Sequence, residues 1–148
     1  MPKDTPTTNA LDLSCFDTVA ASDRGAEVEL VHLKTGEPTG IFFKVLGTDS
    51  QEWREHVNER ANKRMLAQFR ADRTRKELPA PTIEEATNDA IMLLTRCTIG
   101  WRTGDEPTVT LNGEKLPFNS ANVVRIYTEF PAVRQQVDEF IGDITNFM

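Results

Sequence analysis

Side chains that build catalytic and metal sites are scarce in this sequence. It has two histidines, His32 and His56, two cysteines, Cys15 and Cys97, and one tyrosine in 148 residues. Neither histidine has a second one at i+4, and the cysteines do not pair at the short spacing of a metal knuckle, so no local zinc site is present. A catalytic triad needs a nucleophile and an orienting group beside its histidine. We read His32, in a strand-like run, and His56, on the polar side of a helix, as surface or hydrogen-bonded residues instead. Phosphate loops, dinucleotide fingerprints and nucleophile elbows are absent too, because Gly36, Gly40 and Gly47 are separated by turn residues. The carboxylate pairs have ordinary places: Glu84-Glu85 in a helix's first turn, where acid complements the macrodipole, and Asp105-Glu106 in a loop. The expectation is a non-enzyme with no catalytic residue, no cofactor and no metal.

Long apolar runs are missing as well. None approaches the roughly 20 residues that span a bilayer, and Met1-Pro2-Lys3-Asp4-Thr5-Pro6 has no apolar stretch of a secretory signal. No membrane association and a cytoplasmic address are expected. In a reducing compartment Cys15 and Cys97, far apart and each in apolar surroundings, read as free core thiols. The net charge of −6 disfavours general nucleic-acid binding, since phosphates repel such a surface.

What is present suits one globular domain. With 39% hydrophobic and 27% charged residues, a chain this long buries roughly 70% of the surface its unfolded form exposes. Residues 1–11, with prolines and threonines and no periodicity, are expected to form a mobile tail, and 12–148 a single domain. Glu27-Val28-Glu29-Leu30 alternates charged and apolar, Thr35 to Gly40 supplies turn chemistry, and Ile41-Phe42-Phe43-Lys44-Val45-Leu46 is rich in strand formers, which predicts a β-hairpin. Phe42 and Phe43 point to opposite faces, so both faces need cover, from helices on one side and a partner or another strand on the other.

Thr48-Asp49-Ser50-Gln51 reads as a capping box, followed by a long helix up to Leu78-Pro79. Along it Trp53, Val57, Ala61, Met65 and Phe69 recur every four residues, with Leu66 beside them. A stripe stepping by four winds about 40° per step and stays narrow. Such stripes usually pack against their own domain, while the functional alternative is contact with a helical client or a second copy, with aromatic anchors. Its second half is basic, with Arg60, Lys63, Arg64, Arg70, Arg73, Arg75 and Lys76. No helix-turn-helix, finger or stacking platform accompanies these charges, so an acidic protein face is preferred over nucleic acid as their partner.

A second capping box, Thr82-Ile83-Glu84-Glu85, starts a helix whose Ile83, Ala86, Ala90, Ile91, Leu93, Leu94 and Cys97 mark it as the spine of the core. Gly100 is expected to close it and Trp101-Arg102 to open a loop. Asn112-Gly113 then signals a small hairpin. Asn119-Ser120 caps a short helix with Val123, Val124 and Tyr127, Phe130-Pro131 breaks it, and Val133, Val137, Phe140, Ile141 and Ile144 define a last helix with a docked end.

The order of these pieces carries a resemblance. Thr35-Gly36-Glu37 with Gly40, the Gly47-Thr48-Asp49-Ser50 helix start, Ile99-Gly100-Trp101, Gly113-Glu114-Lys115-Leu116-Pro117-Phe118 and the terminal Asn146-Phe147 together resemble the tail assembly chaperones of long-tailed bacteriophages. The resemblance implies a non-enzymatic factor in the host bacterial cytoplasm. Its partner would be the long helical tape measure protein, around which tail tube subunits polymerise. It implies a homo-oligomer, with several copies along that client, and a frameshifted longer form that recruits the tail tube protein, this chain being the shorter product. The fold expected is α+β, mostly helical, with an N-terminal β-hairpin and a second small hairpin near Asn112-Gly113. Trp53, Val57, Met65, Phe69, Arg70 and Arg73 are the candidate partner-binding residues. The alternative is a small nucleic-acid-binding regulator that uses the basic end of the long helix.

Overall fold

Val28, Phe43 and Trp101 are register neighbours across three antiparallel strands, and their buried side chains begin the core. The strands are β1 (Ala26–Val31), β2 (Pro38–Val45) and β3 (Thr98–Thr103), ordered β1-β2-β3. This computed structural model describes residues 12–148, so the tail expected at 1–11 lies outside the described residues. Five helices accompany the sheet: α1 (Thr18–Arg24), α2 (Gln51–Thr74), α3 (Ile83–Cys97), α4 (Ser120–Glu129) and α5 (Pro131–Gly142). A separate hairpin, β4 (Thr108–Leu111) with β5 (Glu114–Pro117), and 3-10 turns at Leu13–Phe16 and Ile144–Phe147 complete the α+β arrangement. No helix among the described residues is long and apolar enough to cross a membrane.

The predicted hairpin is present, with β2 as the central strand. Strand alternation sends Phe43 inward, onto Trp101 and Tyr127 with ring centroids 5.4 and 6.0 Å away. Phe42 turns outward. There the Arg102 guanidinium lies 3.9 Å from the centre of its ring, held in turn by Glu27 at 2.8 and 3.0 Å. A cation–π stack and an ion pair cover the outer ring, where the sequence suggested a partner or a further strand.

The third strand was not expected. The helix end expected at Gly100 and the loop expected from Trp101-Arg102 are instead β3, which α3 enters directly at Thr98. A register shift explains why its pattern was hard to read: Lys44 faces Gly100 but Val45 faces Thr98, which leaves Ile99 as an extra residue. The bulge lets Thr98 and Trp101, three positions apart, both turn inward, so strict alternation is broken.

Local signals elsewhere match with small displacements. Ser50, not Thr48, caps α2, with its buried hydroxyl accepting from the Trp53 N–H at 3.3 Å. Asp49 is occupied by the Thr18 hydroxyl instead. α2 stops at Thr74, four residues before the expected Leu78, because Arg75 takes a left-handed conformation (φ 58°) and the Lys76 N–H donates to the Ala71 carbonyl. Thr82 caps α3 as predicted, accepting from Glu85 N–H at 3.1 Å. Asn112 and Gly113 both have positive φ, 52° and 83°, as the tight turn between β4 and β5 demands. Asn119 caps α4, and Pro131 opens α5, where its missing N–H is harmless.

Two burial expectations are corrected. Only the second half of α3 is a spine: Ile91, Leu94 and Cys97 are buried, while Ile83 is 88% exposed and Ala86 and Ala90 are also exposed. In its first half Ala86 only borders an open groove against α2 and Ala90 one against α5, so the apolar spacing there is not covered. Cys15 is an exposed free thiol, not a core one, because the 3-10 turn that holds it has no buried residue. Cys97 is free and buried as expected. At the far end Phe147 is buried, whereas Ile144 and Met148 remain exposed.

Candidate partner-binding helix

α2 has 24 residues and not one of them is buried. At 1.5 Å per residue it is about 36 Å long. Its two halves differ in what holds them.

The first half is fastened to α3 by charge. Glu52, Glu55 and Glu59 share one face of α2, and all three reach the Arg96 guanidinium in the last turn of α3, at 2.7, 3.0 and 3.0 Å. Hydrogen bonds that the guanidinium donates to Glu52 and Glu59 hold its pKa above the ordinary arginine value. Two turns before Arg96 on α3, Asp89 meets both His56 Nε2 at 3.2 Å and Arg60 at 2.9 Å. The sequence offered a signal for the Arg96 cluster, three glutamates at i, i+3 and i+7, but their partner lies 37 to 44 residues away. Arg60 therefore leaves the basic cluster in which its position had placed it.

Trp53 is half-buried and packs against the core, which anchors the start of α2. Val57 and Ala61 border a groove of about 510 Å³ whose other side includes Pro81 and Ala86. From Met65 onward the stripe is largely open among the described residues: Leu66, with Lys63, borders a groove of about 500 Å³ toward Asp89 of α3. Met65, Leu66 and Phe69 are 58, 59 and 61% exposed. At 100° per residue these three fall within a sector of about 100°. Arg73 continues the same face one turn later, and Lys63 and Arg70 run along one flank of it. The core packing expected of the whole stripe is thus realised at Trp53 alone; the Met65 to Arg73 part is a free face.

The remaining cations, Lys63, Arg64, Arg70, Arg73, Arg75 and Lys76, are all exposed, and among the described residues none is in an ion pair. Asp72 is engaged by Gln68 at 2.9 Å. So the candidate residues Met65, Phe69, Arg70 and Arg73 come together on one segment, Val57 sits beside it at the groove, and Trp53 belongs to the domain body.

Other concavities are less informative for chemistry. A groove of about 660 Å³ is lined by His56, Asp89, Thr95, Phe118 and Ser120, yet no hydrogen bond joins Ser120 to His56. Burial, helped by the nearby Glu52 charge, pushes the Cys97 thiol up to about 12, which keeps it protonated and unreactive. Among the described residues no three His, Cys, Asp or Glu side chains are grouped to hold a metal ion. A groove of about 750 Å³ between the β1–β2 turn and the α4–α5 junction is lined by Leu30, Leu33, Ile41, Phe130, Pro131 and Val133. Compared with known proteins, the chain matches no protein-family model, no curated protein and no solved structure.

Proposed function

We propose that this chain is a non-enzymatic chaperone of phage tail assembly, which binds the tape measure protein and assists polymerisation of the tail tube around it in the host bacterial cytoplasm. The observation that carries the reading is the open face of α2, where Met65, Leu66 and Phe69 are more than half exposed among the described residues. An apolar helical face left open is a cost in water and a means of covering a similar face on a client. The sequence resemblance supplies the client: a long helical protein whose apolar stripes need cover until tube subunits enclose them. Several copies along that client, and a longer form that engages the tail tube protein, belong to the same proposal.

Co-expression tests it. The tape measure protein, produced with this chain, should become soluble and co-purify, and should return to the pellet with a Met65→Ser, Phe69→Ser double variant. A tape measure protein that stays insoluble, or that is soluble without the chain, removes the reading.

The six exposed cations without ion partners favour a second reading, a nucleic-acid-binding regulator. It requires salt-sensitive binding to duplex DNA that is lost in a combined Arg70→Ala, Arg73→Ala, Lys76→Ala variant. Absence of binding at low salt removes it.

A further inference from the structure

Between residues 62 and 77 six cations accompany only two carboxylates, Asp72 and Glu77, in a chain whose net charge is −6. The cations are not spread evenly around the helix. Lys63 and Arg70 are seven residues apart, which places them about 10 Å apart on one flank of the Met65, Leu66 and Phe69 face. Arg73 closes the far end of that face, and the opposite flank carries Gln68 and Asp72, already bonded to each other. Lys63 and Leu66 border a groove toward Asp89 of α3, and beyond it the face is open among the described residues. An exposed apolar face with one cationic edge specifies its complement.

From this we infer that the distal half of α2 docks an amphipathic helix with an acidic edge, its carboxylates spaced about seven residues apart to meet Lys63 and Arg70 while its apolar stripe covers Met65, Leu66 and Phe69. The inference rests on the proposed role of this face as the client-binding surface and specifies the chemistry of the client segment. A second copy is a poor occupant, because antiparallel pairing of two α2 helices brings the Lys63 and Arg70 edge of one against the same edge of the other. Nucleic acid is a poor occupant for a different reason. Phosphates would satisfy the cations, but a duplex backbone offers no apolar surface to the three side chains at the centre of the face. The unused charge also explains how such a face stays soluble before its client arrives, since the cations beside it repel other copies.

The test uses the full chain and two synthetic 28-residue helical peptides with the same leucine stripe, one with glutamate at the flanking positions and the other with lysine. The glutamate peptide is expected to bind at least about tenfold more tightly than the lysine peptide at low salt, and to weaken as salt screens the pairs. Lys63→Glu with Arg70→Glu should abolish that preference, and Met65→Ser with Phe69→Ser should abolish binding, both with unchanged helical circular dichroism because these side chains are exposed. Equal affinity for the two peptides, no binding of either, or tighter binding of a DNA duplex than of the glutamate peptide overturns the inference. So does concentration-dependent dimerisation that Met65→Ser and Phe69→Ser remove. If the tape measure protein co-purifies while the glutamate peptide gains nothing, the acidic edge is wrong and the chaperone stands. If the peptide binds as expected but the tape measure protein does not, the reverse holds.

Discussion

The Thr98 hydroxyl lies 2.7 Å from the Tyr127 hydroxyl in the interior and donates its own proton to the Leu94 carbonyl at 2.6 Å, so the Tyr127 phenol is the donor between the two. This chain of hydrogen bonds ties the end of α3 to α4 at the point where α3 becomes β3. Its two ends are unequal. Tyr127→Phe leaves Thr98 bonded to Leu94 and should cost about 0.5–1.5 kcal/mol, whereas Thr98→Val strands a buried phenol and should cost about 1–3 kcal/mol. Urea unfolding of both variants checks the order; equal losses would show that the phenol finds another acceptor.

The two halves of α3 give a second comparison. Leu94 is 2% exposed and its truncation to alanine should cost about 2–5 kcal/mol. Ile83→Ala, at the exposed start of the same helix, should change stability by less than about 0.5 kcal/mol. A large loss at Ile83 would mean that this face is covered in solution.

Trp53 and Phe69 separate stability from binding. Trp53→Ala should lower the melting temperature, because the indole packs on the core. Phe69→Ala should leave it unchanged and, on the proposed function, abolish co-purification of the tape measure protein. Thermal melts and pull-downs on the same preparations measure both, and a large melting shift in the Phe69 variant would place that ring in the fold.

Gly47 allows no side chain. A Cβ there would overlap the Ser22 hydroxyl and lie 2.9 Å from the Phe147 ring. Since both neighbours are buried, Gly47→Ala should destabilise by about 1–3 kcal/mol through overpacking. Calorimetry of the variant checks it, and a neutral result would show that the Phe147 segment can move aside.

Alkaline pH should weaken the fold. Burial raises the Cys97 thiol from 9.0 to about 12 and also raises the Tyr127 phenol above 10.0. Both groups favour the neutral form in the folded state. Their contribution is therefore complete below the unfolded values and is lost as pH rises from about 9 through the folded ones. Melting temperatures measured from about pH 8 to 11 should fall, and should fall less steeply in Cys97→Ala, which lacks the thiol. Parallel declines would exclude the Cys97 share.

What the sequence determined by itself was local. The hairpin around Thr35 to Gly40, the caps at Thr82 and Asn119, the tight turn at Asn112-Gly113 and the break at Phe130-Pro131 each follow from residues that act on backbone groups within four positions of themselves. The α+β class followed from the periods of two and about 3.6 between them. Tertiary structure decided which of those patterns is used. The apolar spacing of Ile83, Ala86 and Ala90 resembles that of Ile91 and Leu94, yet only the latter meet the sheet, because periodicity defines a face without supplying anything to cover it. The same limit hid β3, whose bulge at Ile99 breaks alternation to bring Thr98 and Trp101 inward. It also hid the Arg96 and Asp89 clusters, which join helices through side chains more than 25 residues apart. Only those contacts divide α2 into a fastened half and a free one, and so place Met65, Leu66, Phe69, Arg70 and Arg73, but not Trp53, on the open face.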